Sequence, residues 1–199
     1  MPECHPDIFG RMAGGYRRLP LTRGLVEAAV ARARSLPIFD YSHREFDANL
    51  VGCIGELVFE TFLTYHQIQF QDSRQSTERD YIVGRSLTVD VKTKDRTVPP
   101  RKDFDNSVPL YNHEHQRPHY YYFVSLQRDR AADTSDPGRF TAAYLLGGID
   151  LPRLDVVGVR WNAGQIDPAN GTRFWTACLN VRMGDLHSND EMLAAFRAA

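Results

Sequence analysis

Lysine is nearly absent from this chain. Of its 24 basic residues only Lys92, Lys94 and Lys102 are lysine, and the first two sit two positions apart. Arginine carries charge by default, so a lysine marks a place where a compact ammonium with a movable pKa is wanted. Cysteine is scarce as well. Cys4, Cys53 and Cys178 are far apart and form no CxxC pair, which argues against a disulfide scaffold and for a reducing compartment. No stretch approaches the ~18 uninterrupted apolar residues of a membrane span. Residues 1–24 lack the apolar core of a secretory signal, so a cytoplasmic protein with no membrane partner is expected. An excess of one charge is also missing: 24 basic against 25 acidic residues leaves a net charge of −1. The total therefore gives no general reason to bind nucleic acid. A Gly-rich phosphate loop, a Gly-x-Ser-x-Gly elbow and a dinucleotide fingerprint are all lacking.

The 199 residues, 42% apolar and 25% charged, suit one globular domain over 1–199. Residues 1–21 read as an irregular arm. Thr22 caps an expected helix to about Leu36, with Leu25, Val26, Ala29, Val30 and Ala33 on its apolar side, and Pro37 stops it. A second helix over Phe46 to Tyr65 is apolar on more than one side and should be buried. Asp80 to Val83, a turn at Gly84 to Ser86, and Leu87 to Thr93 form a hairpin. Thr97 to Pro118 reads as a long loop. Strands follow at Tyr120 to Leu126, at Phe140 to Leu146 (ended by Gly147-Gly148) and at Phe174 to Val181. A helical turn near Leu151 and a short strand or connection over Val156 to Trp161 fall between the last two. Ser188 and Glu191 have capping-box spacing and open a final helix to Ala198. The order implies an α/β sandwich around a mixed sheet.

Chemistry concentrates in Leu87 to Lys94. Strand alternation puts Asp90, Lys92 and Lys94 on one face and Leu87, Val89, Val91 and Thr93 on the other. Asp90 and Lys92 then stand about 7 Å apart along the strand, close enough to serve one site. A carboxylate there can ligate a hard cation such as Mg²⁺, and the ammonium can orient a metal-bound water or offset charge on a phosphate. Asp80 begins the neighbouring strand, so the hairpin brings a second carboxylate to that place. Glu56, on the buried helix one turn after Gly52, must be satisfied by a metal, a lysine, an arginine or a polar loop, because a lone buried charge is costly. The 84–102 segment holds six basic residues against two acids, and Lys94, Arg96, Arg101 and Lys102 are candidate contacts to nucleic-acid phosphates.

A glutamate on a buried helix, an acid opening a hairpin and Asp-x-Lys on its return strand together resemble the PD-(D/E)xK nuclease superfamily. The likeness spans about Phe46 to Leu126 and extends more loosely to small phage-type members. It implies a restriction-endonuclease-like α-β-β-β-α-β core, with a central mixed sheet flanked by helices. It also implies Mg²⁺- or Mn²⁺-dependent hydrolysis of phosphodiester bonds in DNA, double-stranded by expectation, with a homodimer left open. Carried over, Asp80, Asp90 and the Val91 carbonyl would hold the metal, Glu56 would add a ligand or orient its waters, and Lys92 would position the attacking water. Arg79 stands where the family often has proline. Gln116 and Tyr120 have the Gln-x-x-x-Tyr spacing of RecB-like nucleases, but Pro118 between them forbids a regular helix.

Other readings stay open on the sequence alone. The same fold could bind nucleic acid or protein without cutting, or the substrate could be RNA. His113, His115 and His119, with Glu114, could hold Zn²⁺, although their spacing matches no established zinc motif. Cys53 lies in the apolar helix and reads as core rather than nucleophile.

Overall fold

A buried helix and an aromatic strand, each apolar on both sides, organise the chain. The computed structural model describes residues 8–11, 15–36, 45–75, 79–110 and 117–199. Helix α1 (Arg23–Arg34) starts at Thr22, whose hydroxyl accepts from the Leu25 amide at 3.3 Å, and buries Val26, Ala29 and Ala33. Helix α2 (Glu45–Tyr65) packs against it. Strands β1 (Gly10–Arg11), β2 (Arg17–Pro20), β3 (Phe70–Asp72), β4 (Tyr81–Val83), β5 (Leu87–Arg96), β7 (Tyr120–Arg128) and β8 (Phe140–Asp150) form a seven-stranded sheet in the order β1-β2-β8-β7-β5-β4-β3. Its neighbours run antiparallel except for β5 and β7, which are parallel. Strands β6 (Asp105–Pro109), β10 (Cys178–Arg182) and β9 (Val159–Trp161) make a separate antiparallel sheet in that order. Helix α3 (Leu151–Val157) follows β8, and α4 (Asn189–Ala198) closes the chain.

Alternation along β7 divides two cores. Tyr122, Val124 and Leu126 join Phe59, Phe62 and Phe196 under α1, α2 and α4, whereas Tyr121 and Phe123 join Val108, Tyr144, Val181 and Met183 beneath the small sheet. The architecture is therefore α/β with a mixed sheet. Helices α1, α2 and α4 cover one face, and the other lies under the small sheet and α3, whose Leu154 is buried there. Strand β6 corrects the reading of 97–118 as loop. Its Asp-Asn-Ser-Val-Pro sequence buries only Asn106 and Val108, too few apolar positions to signal a strand.

The supposed arm contains β1 and β2, and β2 pairs with β8 through Leu19↔Ala143. Arg17 is buried there and bonds Asp190 on α4 at 2.8 Å. Gly147-Gly148 does not end its strand: β8 runs on to Asp150. Gly147 has φ +111°, and a Cβ on it would lie 2.0 Å from the His187 carbonyl, so glycine lets the 187 segment dock there. The last strand begins at Cys178 rather than Phe174. The capping box is present: the Ser188 hydroxyl accepts from the Glu191 amide, and the Ser188 amide donates to Glu191 Oε2 at 2.7 Å.

Candidate functional site

The hairpin brings the two expected acids together. Tyr81 pairs with Val89, and continuing that register by one residue sets Asp80 opposite Asp90 across the antiparallel ladder. The Asp80 amide donates to the Val89 carbonyl at 3.1 Å, and its carboxyl Oδ2 accepts from the Val91 amide at 2.7 Å. Asp80 thus extends the ladder with its side chain where β4 begins. Asp90 is buried at 2% exposure. Lys92 Nζ stands 2.6 Å from Asp90 Oδ2, and it also lies 5.9 Å from the centre of the Tyr121 ring. At that distance the ammonium neutralises the Asp90 carboxylate directly, as a close charge-assisted contact.

Burial, then the negative charges of Asp90 and Glu56, push the Asp80 carboxyl well above the usual carboxylate range, against the opposing effect of the Val91 hydrogen bond. Two carboxyls packed side by side cannot both ionise without a compensating cation. A single Lys92 ammonium compensates one of them. The donors are hard oxygens, which is the chemistry a Mg²⁺-type ion accepts. Among the described residues no group of three or more His, Cys, Asp or Glu side chains is placed to hold a metal ion. An ion at this place would therefore take much of its coordination from water, as Mg²⁺ commonly does.

A raised folded-state pKa has a consequence for stability. The folded protein retains a proton on Asp80 that the unfolded chain gives up at the ordinary carboxylate pKa. Stability therefore falls as pH rises from that value through the folded one. Asp80→Asn keeps an oxygen for the Val91 amide and removes the charge. The variant is expected to melt higher than wild type at neutral pH in EDTA, and lower melting in a thermal scan would contradict this assignment.

Glu56 approaches from the other side of β5, where Gly55 of α2 abuts Thr93. Its Oε2 is held by Arg74 Nη1 and lies 3.6 Å from Arg32 Nη1. Arg74 also grips Asp72, and Arg32 spans Glu60 through bonds of 2.9 and 3.2 Å. Tyr81 donates to Glu60 Oε1 at 2.7 Å. The structure thus unites Asp80, Asp90 and Lys92, while Glu56 reaches Asp80 through its field and satisfies its own charge on arginines. Sequence reasoning missed Arg32, Glu60 and Arg74. The one available signal was Glu60, a helical turn after Glu56 on α2. Beside Glu56 the space over Gly52 is open, with nothing within 4 Å of a would-be Cβ.

The four basic candidates separate. Lys94 and Arg96 turn partly inward beside a cavity. Arg101 is exposed and bonds Asp103, and Lys102 is exposed. His119 is tied to Thr88, with Nδ1 2.7 Å from the Thr88 hydroxyl, while His113, Glu114 and His115 lie outside the described residues. Cys53 is fully buried, and burial with the Glu56 charge pushes its thiol up to about 11, which disfavours a thiolate. No protein-family model matches the chain, and no curated protein matches it.

Proposed function

We propose that this chain is a metal-dependent nuclease that hydrolyses phosphodiester bonds in DNA at the Asp80–Asp90–Lys92 site. The observation that carries the reading is the adjacent pair of carboxyls, Asp90 buried and Asp80 half-buried, with a single ammonium, that of Lys92, against Asp90. A divalent cation would discharge that repulsion. Asp80 and Asp90, with the Val91 carbonyl beside them, would hold Mg²⁺ or Mn²⁺, and Glu56 would bias the site electrostatically from behind. The ion would supply Lewis acidity to the phosphoryl oxygens and a lowered pKa for bound water. Lys92, anchored by Asp90, would orient the nucleophile and offset charge on the phosphate. The helix-backed hairpin, with its parallel neighbour β7, agrees with a restriction-endonuclease-like core. Double-stranded DNA is the proposed substrate, cleaved by a monomer or a homodimer.

A binding module that does not cut is the second reading. It is favoured by the capture of Glu56 by Arg74 and Arg32, which leaves two acids at the site instead of three. Duplex DNA, single-stranded DNA and RNA incubated with Mg²⁺, Mn²⁺ or EDTA separate the readings. Metal-dependent cutting of DNA supports the nuclease. A gel shift with every substrate left intact supports the module.

Metal binding has its own signature. A ligand at 100 times its Kd adds about 2.7 kcal/mol, and at 2–4 °C per kcal/mol for a chain of this size that is roughly 5–11 °C. Mg²⁺ or Mn²⁺ is expected to raise the melting temperature of wild type to that extent, and the rise should vanish in Asp90→Asn. An equal rise in both proteins would place the ion elsewhere.

A further inference from the structure

Thr88 and His119 clasp each other beside the proposed site. Leu87, Val89 and Tyr120 pack into the core beneath the helices. Alternation therefore turns Thr88 and His119 to the opposite face, the one that Asp90, Lys92 and Tyr121 share. The His119 amide donates to Thr88 Oγ1 at 2.9 Å, and the Thr88 amide donates to His119 Nδ1 at 3.1 Å. The Thr88 hydroxyl stands 2.7 Å from the same ring nitrogen.

That clasp fixes the chemistry of the ring. A backbone amide can only donate, so Nδ1 must offer it a lone pair, and the proton of the neutral imidazole sits on Nε2. The hydroxyl, which accepts from the His119 amide, adds a second donor to Nδ1. A general base or a metal ligand working through Nε2 would need the proton on Nδ1, facing the Thr88 amide. His119 is instead a neutral donor held in one orientation. It is exposed, and among the described residues no hydrogen bond occupies its Nε2.

Its neighbours on this face donate as well. Lys92 Nζ lies 5.9 Å from the centre of the Tyr121 ring. Burial, then the Asp90 charge, push the Tyr121 hydroxyl up, and the Arg117 charge opposes them, so Arg117 also lies near this ring. The exposed acid there, Asp155, is committed to Arg117 at 3.3 Å. A row of donors suits a ligand made of acceptors. A phosphate backbone is one, whereas base edges mix donors with acceptors. Thr88 lies about 7 Å before Asp90 along β5, a span comparable with one nucleotide step of a backbone.

We propose that His119 is a substrate-binding residue of this site, donating from Nε2 to an oxygen of the phosphate next to the one that is cleaved. The proposal rests on the nuclease reading for the identity of the strand.

Two variants separate holding the ring from using it. In His119→Asn the side-chain oxygen takes the place of Nδ1 and keeps the Thr88 bonds, but the reach to Nε2 is gone. In His119→Gln the amide nitrogen reaches the Nε2 position and the clasp is given up. Binding of a fluorescein-labelled DNA duplex is followed by anisotropy in EDTA at about pH 8, where histidines are ordinarily neutral. His119→Asn should melt like wild type and bind about tenfold more weakly, the worth of one hydrogen bond to a charged group. Because the lost donor is neutral, the slope of log Kd against log salt should match that of wild type. His119→Gln should bind more tightly than His119→Asn. Inorganic polyphosphate, a chain of phosphates without bases, should show the same loss in competition. Unchanged affinity in His119→Asn, a salt slope flattened by about 0.9, a loss confined to DNA, or glutamine binding no better than asparagine would overturn the assignment. Cutting by His119→Asn with wild-type affinity sinks the contact and spares the nuclease. The predicted loss in a protein that never cuts does the reverse.

Discussion

Lys92→Ala is expected to lower metal-dependent DNA cleavage by about 10²–10⁴-fold, the range spanned by a positioned proton-transfer or charge-stabilising group. Its Nζ lies 2.6 Å from Asp90 Oδ2, which on the proposed reading would put the ammonium beside the metal and its nucleophile. Alanine also strips the partner from a buried carboxylate, and breaking a buried pair costs about 3–5 kcal/mol. A folding defect could then imitate a catalytic one. Lys92→Arg separates the two effects. It keeps the charge beside Asp90 and much of the stability, but its planar guanidinium cannot replace a compact ammonium or give up its proton. Arginine should therefore restore the melting temperature without restoring the rate. Full cleavage by the arginine variant would reduce Lys92 to a structural counter-ion.

Gly55→Val is expected to be the most damaging single change in the helix layer. A Cβ at residue 55 would stand 1.8 Å from Thr93 Oγ1 and 2.9 Å from Thr93 Cβ, so α2 must lift off β5 or Thr93 must move. Overpacking of this kind costs about 1–3 kcal/mol, sometimes more, which for a chain of this size is roughly 2–12 °C in melting temperature. Thr93 lies one residue beyond Lys92, and Glu56 directly follows Gly55. The shift should therefore disturb the site as well as the core. Thr93→Ala opens the contact, and its hydroxyl makes no hydrogen bond among the described residues that would be lost. The double variant should recover part of the lost stability, measured as a coupling of about 0.5–3 kcal/mol between contacting residues. Purely additive losses would show that the helix and the strand do not meet there.

Elements that state their own boundaries could be read from the sequence. Thr22 caps α1, and Ser188 and Glu191 cap α4, through bonds made within a few residues, and the Gly84 turn joins β4 to β5 next to the local Val83–Leu87 pair. The Asp-x-Lys pattern was legible for a similar reason, since strand alternation alone puts Asp90 and Lys92 on one face and the hairpin register adds Asp80. Elements defined by distant partners were not legible. Strand β2 is short, bears two arginines and a proline, and exists because β8 offers it an edge. Strand β6 is polar because only half of it faces a core, and its partner β10 lies some 70 residues away. The arginines on Glu56 come from positions 32 and 74, and nothing local to Glu56 announces them. The sequence therefore showed that Glu56 needed a partner without showing which one.

The central claim is tested most directly by following supercoiled plasmid incubated with the purified wild-type chain in Mg²⁺, in Mn²⁺ and in EDTA, with Asp80→Asn run alongside. The account predicts conversion to nicked or linear DNA by wild type with either metal, none in EDTA, and none by Asp80→Asn even though that variant folds more stably. Cleavage that persists in EDTA or in Asp80→Asn would contradict it, and so would intact plasmid in every lane.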